Sequence, residues 1–386
     1  MPPKDTDAIK TLESLVQTAS TLLTQLQTVL SEIHKKPEST PGAASSPSPT
    51  PDPKINALSL AHDSSSLIRA HGTKISLLII NEPFTPSAVS TVVRELVAGP
   101  IPGLVSAVQA CTPGQYTTVV RKELAWRAQR VLSELRELLQ KIPQDGKVLS
   151  ENKRDGFAKG DKGSLPATGL LWSACDNVIN LAKMGVGGFF VQKVDQWKDI
   201  LNDVMEEMKE WGDEEPDEDD DDDEDDDEDN DDVNNLADQL GSQTLSTQDM
   251  LDSLMNSHQT IPPSDPDGIR PRLETSLKRL RLVTLLYQAL TKRRLKKLPS
   301  FPPTSPDSTV PSRLDEMARL LAKIPDSFNN LACAFYDLEP SEIDKAMDQC
   351  FFDAFAASEL FARDWQGNRD EFSEWTDKFQ AEIKRA

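Results

Sequence analysis

The sequence is poor in the residues from which reactive centres are built. It contains four histidines and four cysteines among 386 residues. His34, His62, His71 and His258 make no HExxH motif and no i, i+4 pair with a second ligand, which removes the helical zinc sites. Cys111, Cys175, Cys333 and Cys350 are scattered, the nearest two 17 residues apart, so neither a CxxC zinc or dithiol site nor a disulfide scaffold is encoded. Gly185-Val-Gly-Gly188 follows no strand, and Gly156 to Ser164 misses the GxxxxGK[ST] spacing of a phosphate loop. The expectation is a chain that is not an enzyme and takes no metal or cofactor.

Two further absences concern the solvent. No apolar run approaches the roughly 18 residues of a membrane span, and the first residues, Met1-Pro-Pro-Lys4, lack the basic and apolar regions of a signal peptide. A soluble, intracellular protein without a membrane partner is expected. Nor is there a basic excess. The formal charge is −22, but residues 213 to 232 hold 18 acidic side chains and no basic one, leaving 46 acidic against 42 basic elsewhere. A nearly neutral remainder argues against nucleic acid, whose phosphates need a basic surface.

What the sequence has is helical periodicity. Ile9, Leu12, Val16, Ala19, Leu23, Leu26, Leu30 and Ile33 step by three and four, the spacing of one helix face. A second helix is predicted from Lys54 to before Pro83, and Pro86 opens a third over 86 to 98. Gly99-Pro-Ile-Pro-Gly103 then interrupts before a short continuation to Cys111. Residues 117 to 142 carry the clearest stripe, Val120, Leu124, Ala128, Val131, Leu135, Leu138 and Ile142. A loop is predicted over 143 to 166, then a helix capped by Thr168 with Leu171, Ala174, Val178 and Leu181 on one face. The glycines at 185 to 188 predict a break or kink, followed by Val194, Trp197, Leu201, Val204, Met208 and Trp211. Helices are expected again from Ser246, over 270 to 298, 312 to 324, 326 to 338 (separated by Pro325), from Pro340, and to the end through Phe372, Trp375, Phe379 and Ile383. No stretch alternates as a strand does. The predicted fold is all-α, with antiparallel bundles.

Composition divides the chain. Residues 1–35 are an N-terminal helix. Residues 36–53, with six prolines between Pro37 and Pro53, are read as a disordered linker. Residues 54–212 form a helical bundle domain, 213–245 an acidic disordered linker whose like charges repel, and 246–386 a C-terminal helical domain. The Pro-rich linker places Thr40, Ser46, Ser48 and Thr50 before prolines, four candidates for proline-directed phosphorylation, each phosphate adding about −1.5 to −2 charges.

Several strings resemble one family. Gly169-Leu-Leu-Trp-Ser-Ala-Cys-Asp176, then Asp199-Ile-Leu-Asn-Asp-Val-Met-Glu-Glu-Met208 before an acidic spacer, are similar to the cyclin-D-binding, or Grap-and-cyclin-D-interacting, proteins. Leu314-Asp-Glu-Met317, Ile324-Pro-Asp-Ser-Phe-Asn-Asn-Leu-Ala332, Tyr336 and Pro340 resemble that family's C-terminal domain, and Pro83-Phe-Thr-Pro86 adds a shorter match. The resemblance implies helical bundles of the vinculin and α-catenin type, residence in nucleus and cytoplasm, and binding of D-type cyclins or helix-loop-helix factors. It places no partner-contacting residue.

Lys292, Arg293, Arg294, Leu295, Lys296 and Lys297 form a basic run that suits a nuclear-import signal and also resembles the Arg-x-Leu peptide that grips a cyclin groove. The plainer reading is a helix C-terminus, where cations favour the macrodipole. On the sequence, the protein is expected to be a non-enzymatic adaptor that offers bundle faces to cell-cycle or transcription proteins. The alternative is an acidic chaperone of histones or other basic proteins acting through residues 213–232.

Overall fold

The computed structural model describes residues 3–39, 56–155, 163–214, 260–305 and 307–385. The phosphorylation candidates Thr40, Ser46, Ser48 and Thr50, nearly all of the acidic run, and the helix expected from Ser246 lie outside these residues. Among the described residues the elements are helical and no strand occurs, so the fold is all-α.

The described residues fall into two compact units, Met1–Lys193 with Lys292–Arg319, and Val194–Thr291 with Leu320–Ala386. In the first, α1 (Pro3–Lys35) packs on α6 (Thr118–Gln140) and α3 (Pro86–Ala98), while α2 (Ala57–Ile80) packs on α3 and α4 (Pro100–Ala110). The predicted stripe of α6 is buried and that of α1 largely so, with Ile9, Val16 and Leu26 half-buried. Leu12, Leu23 and Leu30 of α1, Ile68, Ile75 and Ile79 of α2, and Val131, Leu135 and Leu138 of α6 are withdrawn from water, each contributing roughly 1.5–3 kcal/mol of transfer free energy. A short helix, α5 (Pro113–Tyr116), turns the chain into α6.

Pro86 and Pro100 stand at helix N-termini, where the missing N–H costs nothing. Together α3 and α4 correct an expectation. Pro86–Ala110 is a 25-residue helical stretch containing an 18-residue window of mean hydropathy 1.3, long and apolar enough by composition to cross a membrane. Its apolar side chains go elsewhere here: Val89, Val93, Leu96, Leu104 and Val108 are fully buried in the unit.

The loop expected over 143–166 contains a short helix, α7 (Glu151–Asp155), and α8 (Ser164–Asp213) begins before Thr168. Thr168 is therefore not the cap. Its hydroxyl instead donates to the Ser164 carbonyl at 2.7 Å, one turn back. The break expected at 185–188 is confined to Gly185, whose φ of 64° and ψ of −174° leave the helical region.

The second unit holds the end of α8, most of α9 (Ile269–Arg293), the later part of α10 (Val310–Tyr336), α11 (Pro340–Leu360) and α12 (Glu371–Arg385). Its core is aromatic. Trp211 meets Phe335 and Tyr336 at ring separations of 6.2 and 5.3 Å, Phe328 meets Phe351 at 6.1 Å, and the Arg279 guanidinium lies 4.4 Å from the Phe351 ring.

Pro325 does not separate two helices: it lies inside α10. A proline removes the N–H that would bond the carbonyl four residues earlier. That carbonyl belongs to Leu321, and it accepts a 2.6 Å hydrogen bond from the buried Tyr287 hydroxyl. The helix passes through because a side chain supplies the lost donor.

Three thiols are sealed in this packing. Burial pushes Cys111, Cys175 and Cys350 up to about 12, against the smaller opposing effects of Arg121, Arg69 and Lys323, whereas Cys333 is exposed. A thiol needs its thiolate to react, and at pH 8 a group titrating near 12 has almost none. Iodoacetamide at pH 8 is expected to modify Cys333 alone in the native protein and all four cysteines in guanidinium, as counted by intact-mass spectrometry. Early modification of Cys111 would mean that the first bundle is not closed.

Candidate functional site

The basic run does not stand free as a peptide. Lys292 and Arg293 end α9, and the chain then makes a single 3₁₀ turn, Leu295–Lys297. Arg294 and Leu295 are 1% and 2% exposed, while Lys292, Arg293, Lys296 and Lys297 face solvent. The Leu of the Arg-x-Leu string is thus a core residue of the first unit.

This turn lies beside the break in α8. A Cβ added at Gly187 would sit 3.7 Å from Leu298 Cδ2 and 3.9 Å from the Leu295 carbonyl oxygen. Between the two elements and the start of α2 opens a cleft of about 710 Å³, lined by Leu58, Gly185–Gly188, Val191, Leu295, Lys296, Leu298 and Phe301 among others. The glycines and the basic run, unrelated in the sequence, form the walls of one cleft. That juxtaposition spans over a hundred residues, and no local signal announces it.

A second surface is built from α2 and α8, which run antiparallel. The Trp172 indole N–H donates to Thr73 Oγ1 at 3.0 Å, the Arg69 guanidinium lies 5.3 Å from the Trp172 ring, and Arg69 Nε pairs with Asp176 Oδ1 at 3.1 Å. The helices meet closely because Gly72 has no side chain: a Cβ there would be 2.5 Å from Leu171 Cδ2. Trp172 is 37% exposed, and Leu77 and Leu165, at 50% and 44%, stand one turn beyond Thr73 and two turns before Trp172. An exposed Trp and Leu ridge edged by Arg69 has the composition of an interaction hot spot. A sequence signal for it exists: Trp172 sits off the buried stripe Leu171, Ala174, Val178 and Leu181.

A third feature ties the late segment to the bundle. Asp315, within the string Leu314 to Met317, accepts from Thr118 N at 2.7 Å and Val119 N at 3.1 Å, which satisfies two of the orphan donors at the start of α6. The cap residue Thr117 carries a φ of 95°, and its hydroxyl accepts from Val120 N at 3.1 Å.

The histidines are occupied locally. His34 Nδ1 lies 3.2 Å from the Lys122 carbonyl, His62 pairs with Asp63, and His71 Nε2 lies 3.1 Å from Glu95; His258 falls outside the described residues. Among those residues no group of three or more His, Cys, Asp or Glu side chains converges.

Residues 61–214 match the family model described as Grap2 and cyclin-D-interacting, N-terminal. An uncharacterized protein of Schizosaccharomyces pombe (strain 972 / ATCC 24843) is 28% identical over 145 residues, which is 37% of this chain and 41% of that protein. Trp172, Arg69, Leu77 and the Gly185 break all fall within the matched segment.

The φ and ψ of Gly185 lie in a region essentially confined to glycine, where any other residue costs on the order of 1–3 kcal/mol. Gly185→Ala is expected to destabilise the chain by that amount in urea unfolding, although its Cβ would meet nothing within 4 Å. Unchanged stability would mean that α8 is not broken there.

Proposed function

We propose, from the match of residues 61–214 to the Grap2 and cyclin-D-interacting family model, that the chain is a non-enzymatic regulatory adaptor of nucleus and cytoplasm. Its partners are cell-cycle or transcription proteins of the D-type cyclin or helix-loop-helix kind. The observation that carries this reading is the Trp172 ridge, an exposed apolar surface inside the family-matched segment.

The mechanism is docking of a partner helix. Such a helix presents apolar anchors at i, i+3/i+4 and i+7, which would lie along Leu165, Trp172 and Leu77. The ridge is prepared for this. The indole is held by Thr73 and by Arg69, itself fixed by Asp176, so little side-chain freedom remains to be lost on binding.

A second reading rests on a different observation, the 18 acidic side chains of residues 213 to 232. It makes the protein a chaperone of basic proteins whose binding fades steeply with salt. One experiment separates the two. A D-type cyclin is titrated against the intact chain, Trp172→Ala, and a chain lacking residues 213–232. Loss of a hot spot costs about 2 kcal/mol or more, so Trp172→Ala is expected to weaken binding roughly 30-fold with unchanged circular dichroism, and the deletion to leave it intact. Full cyclin affinity in Trp172→Ala removes the ridge reading, and histone binding lost with the deletion would favour the chaperone.

A further inference from the structure

The Gly185 cleft has a composition that the ridge lacks. Its walls are apolar, from Leu58, Val186, Val191, Leu298 and Phe301, and its charged lining residue is Lys296. Among the described residues no Asp or Glu lines it. Lys292, Arg293 and Lys297, all exposed, extend the positive charge along the same two turns. On α2 the carboxylate next along from Ser59 is Asp63, which pairs with His62 at 2.9 Å. The volume, about 710 Å³, suits a few side chains of a peptide, and the glycines at 185, 187 and 188 keep its floor bare.

We propose that this cleft is a docking site for an acidic segment of a partner protein, one that carries apolar anchors between its carboxylates. The anchors fill the cleft and the carboxylates meet Lys296 and its neighbours. The chain's own acidic run meets only half of this description. Residues 213 to 232 consist of Asp, Glu, one Asn and one Pro, so they can screen the lysines but hold nothing to bury. The inference stands beside the ridge and does not rest on it.

The test is fluorescence anisotropy with a labelled decapeptide, Glu-Glu-Leu-Phe-Glu-Glu-Leu-Leu-Glu-Glu, against the full chain. Binding at 50 mM NaCl is expected to weaken at least tenfold at 300 mM as the charges are screened, and the peptide with every Glu replaced by Gln is expected to bind at least tenfold more weakly. Lys296→Glu with Lys297→Glu, both at exposed positions, should lose a similar factor without change in circular dichroism. Gly187→Leu, which fills the cleft, should do likewise, and Trp172→Ala should leave the affinity unaltered. The proposal is overturned by absence of binding, by equal affinity for the Glu and Gln peptides, or by indifference to both cleft variants. It is also overturned if the peptide binds only after residues 213–232 are deleted, because the chain's own run would then be the occupant.

Discussion

The long helices among the described residues carry apolar stripes at steps of three and four, and each stripe must be covered by another. That constraint orders the rest. At roughly 25 cal/mol per Å² of apolar surface withdrawn from water, stripe-on-stripe packing is the main force that offsets the entropy of ordering so many residues. It also makes exceptions informative. Single exposed apolar residues are ordinary, but Leu77, Leu165 and Trp172 fall on adjoining turns of two packed helices, where a stripe without a cover is a surface for something else. Phe352 of α11 is, at 68%, the most exposed of the large apolar side chains among the described residues, but its neighbours one turn on, Phe355 and Ala356, are half-buried.

Periodicity made most helices legible, and it failed where one distant group changed a local rule. Pro325 is a breaker by every local criterion, yet α10 runs through it because the Tyr287 hydroxyl, from another helix, takes the orphaned Leu321 carbonyl. Thr168 looks like a cap because it precedes a stripe, but the helix had already started and the hydroxyl turned back on Ser164. Pro86–Ala110 looked too short in apolar run for a membrane, yet passes by average hydropathy. Burial among α1 and α2 accounts for that composition.

The sites were less legible than the fold. Trp172 was visible as an aromatic off its stripe, within a string that already pointed to the family. The cleft was not, since it needs Gly185–Gly188 beside Leu295–Phe301, and sequence separation hides such pairs. The basic run was visible as charge, but which of its side chains face water was not: Arg294 and Leu295 turn inward while the lysines turn out.

These long-range contacts bear on what the family-matched segment is. Residues 61–214 supply α2 to α8, but the first unit also needs α1 on one side and Lys292–Arg319 on another. The late segment contributes the Asp315 cap to α6, the wall of the cleft, and the buried Leu295. A fragment ending at residue 214 would leave Thr118 and Val119 without their acceptor, at about 0.5–2 kcal/mol for a lost cap, and would open apolar surface where Leu295 and Leu298 now sit. The segment that matches the family model therefore depends, for its own closure, on residues far outside it. A partner that competed for either contact would act on the whole bundle and not on one helix alone.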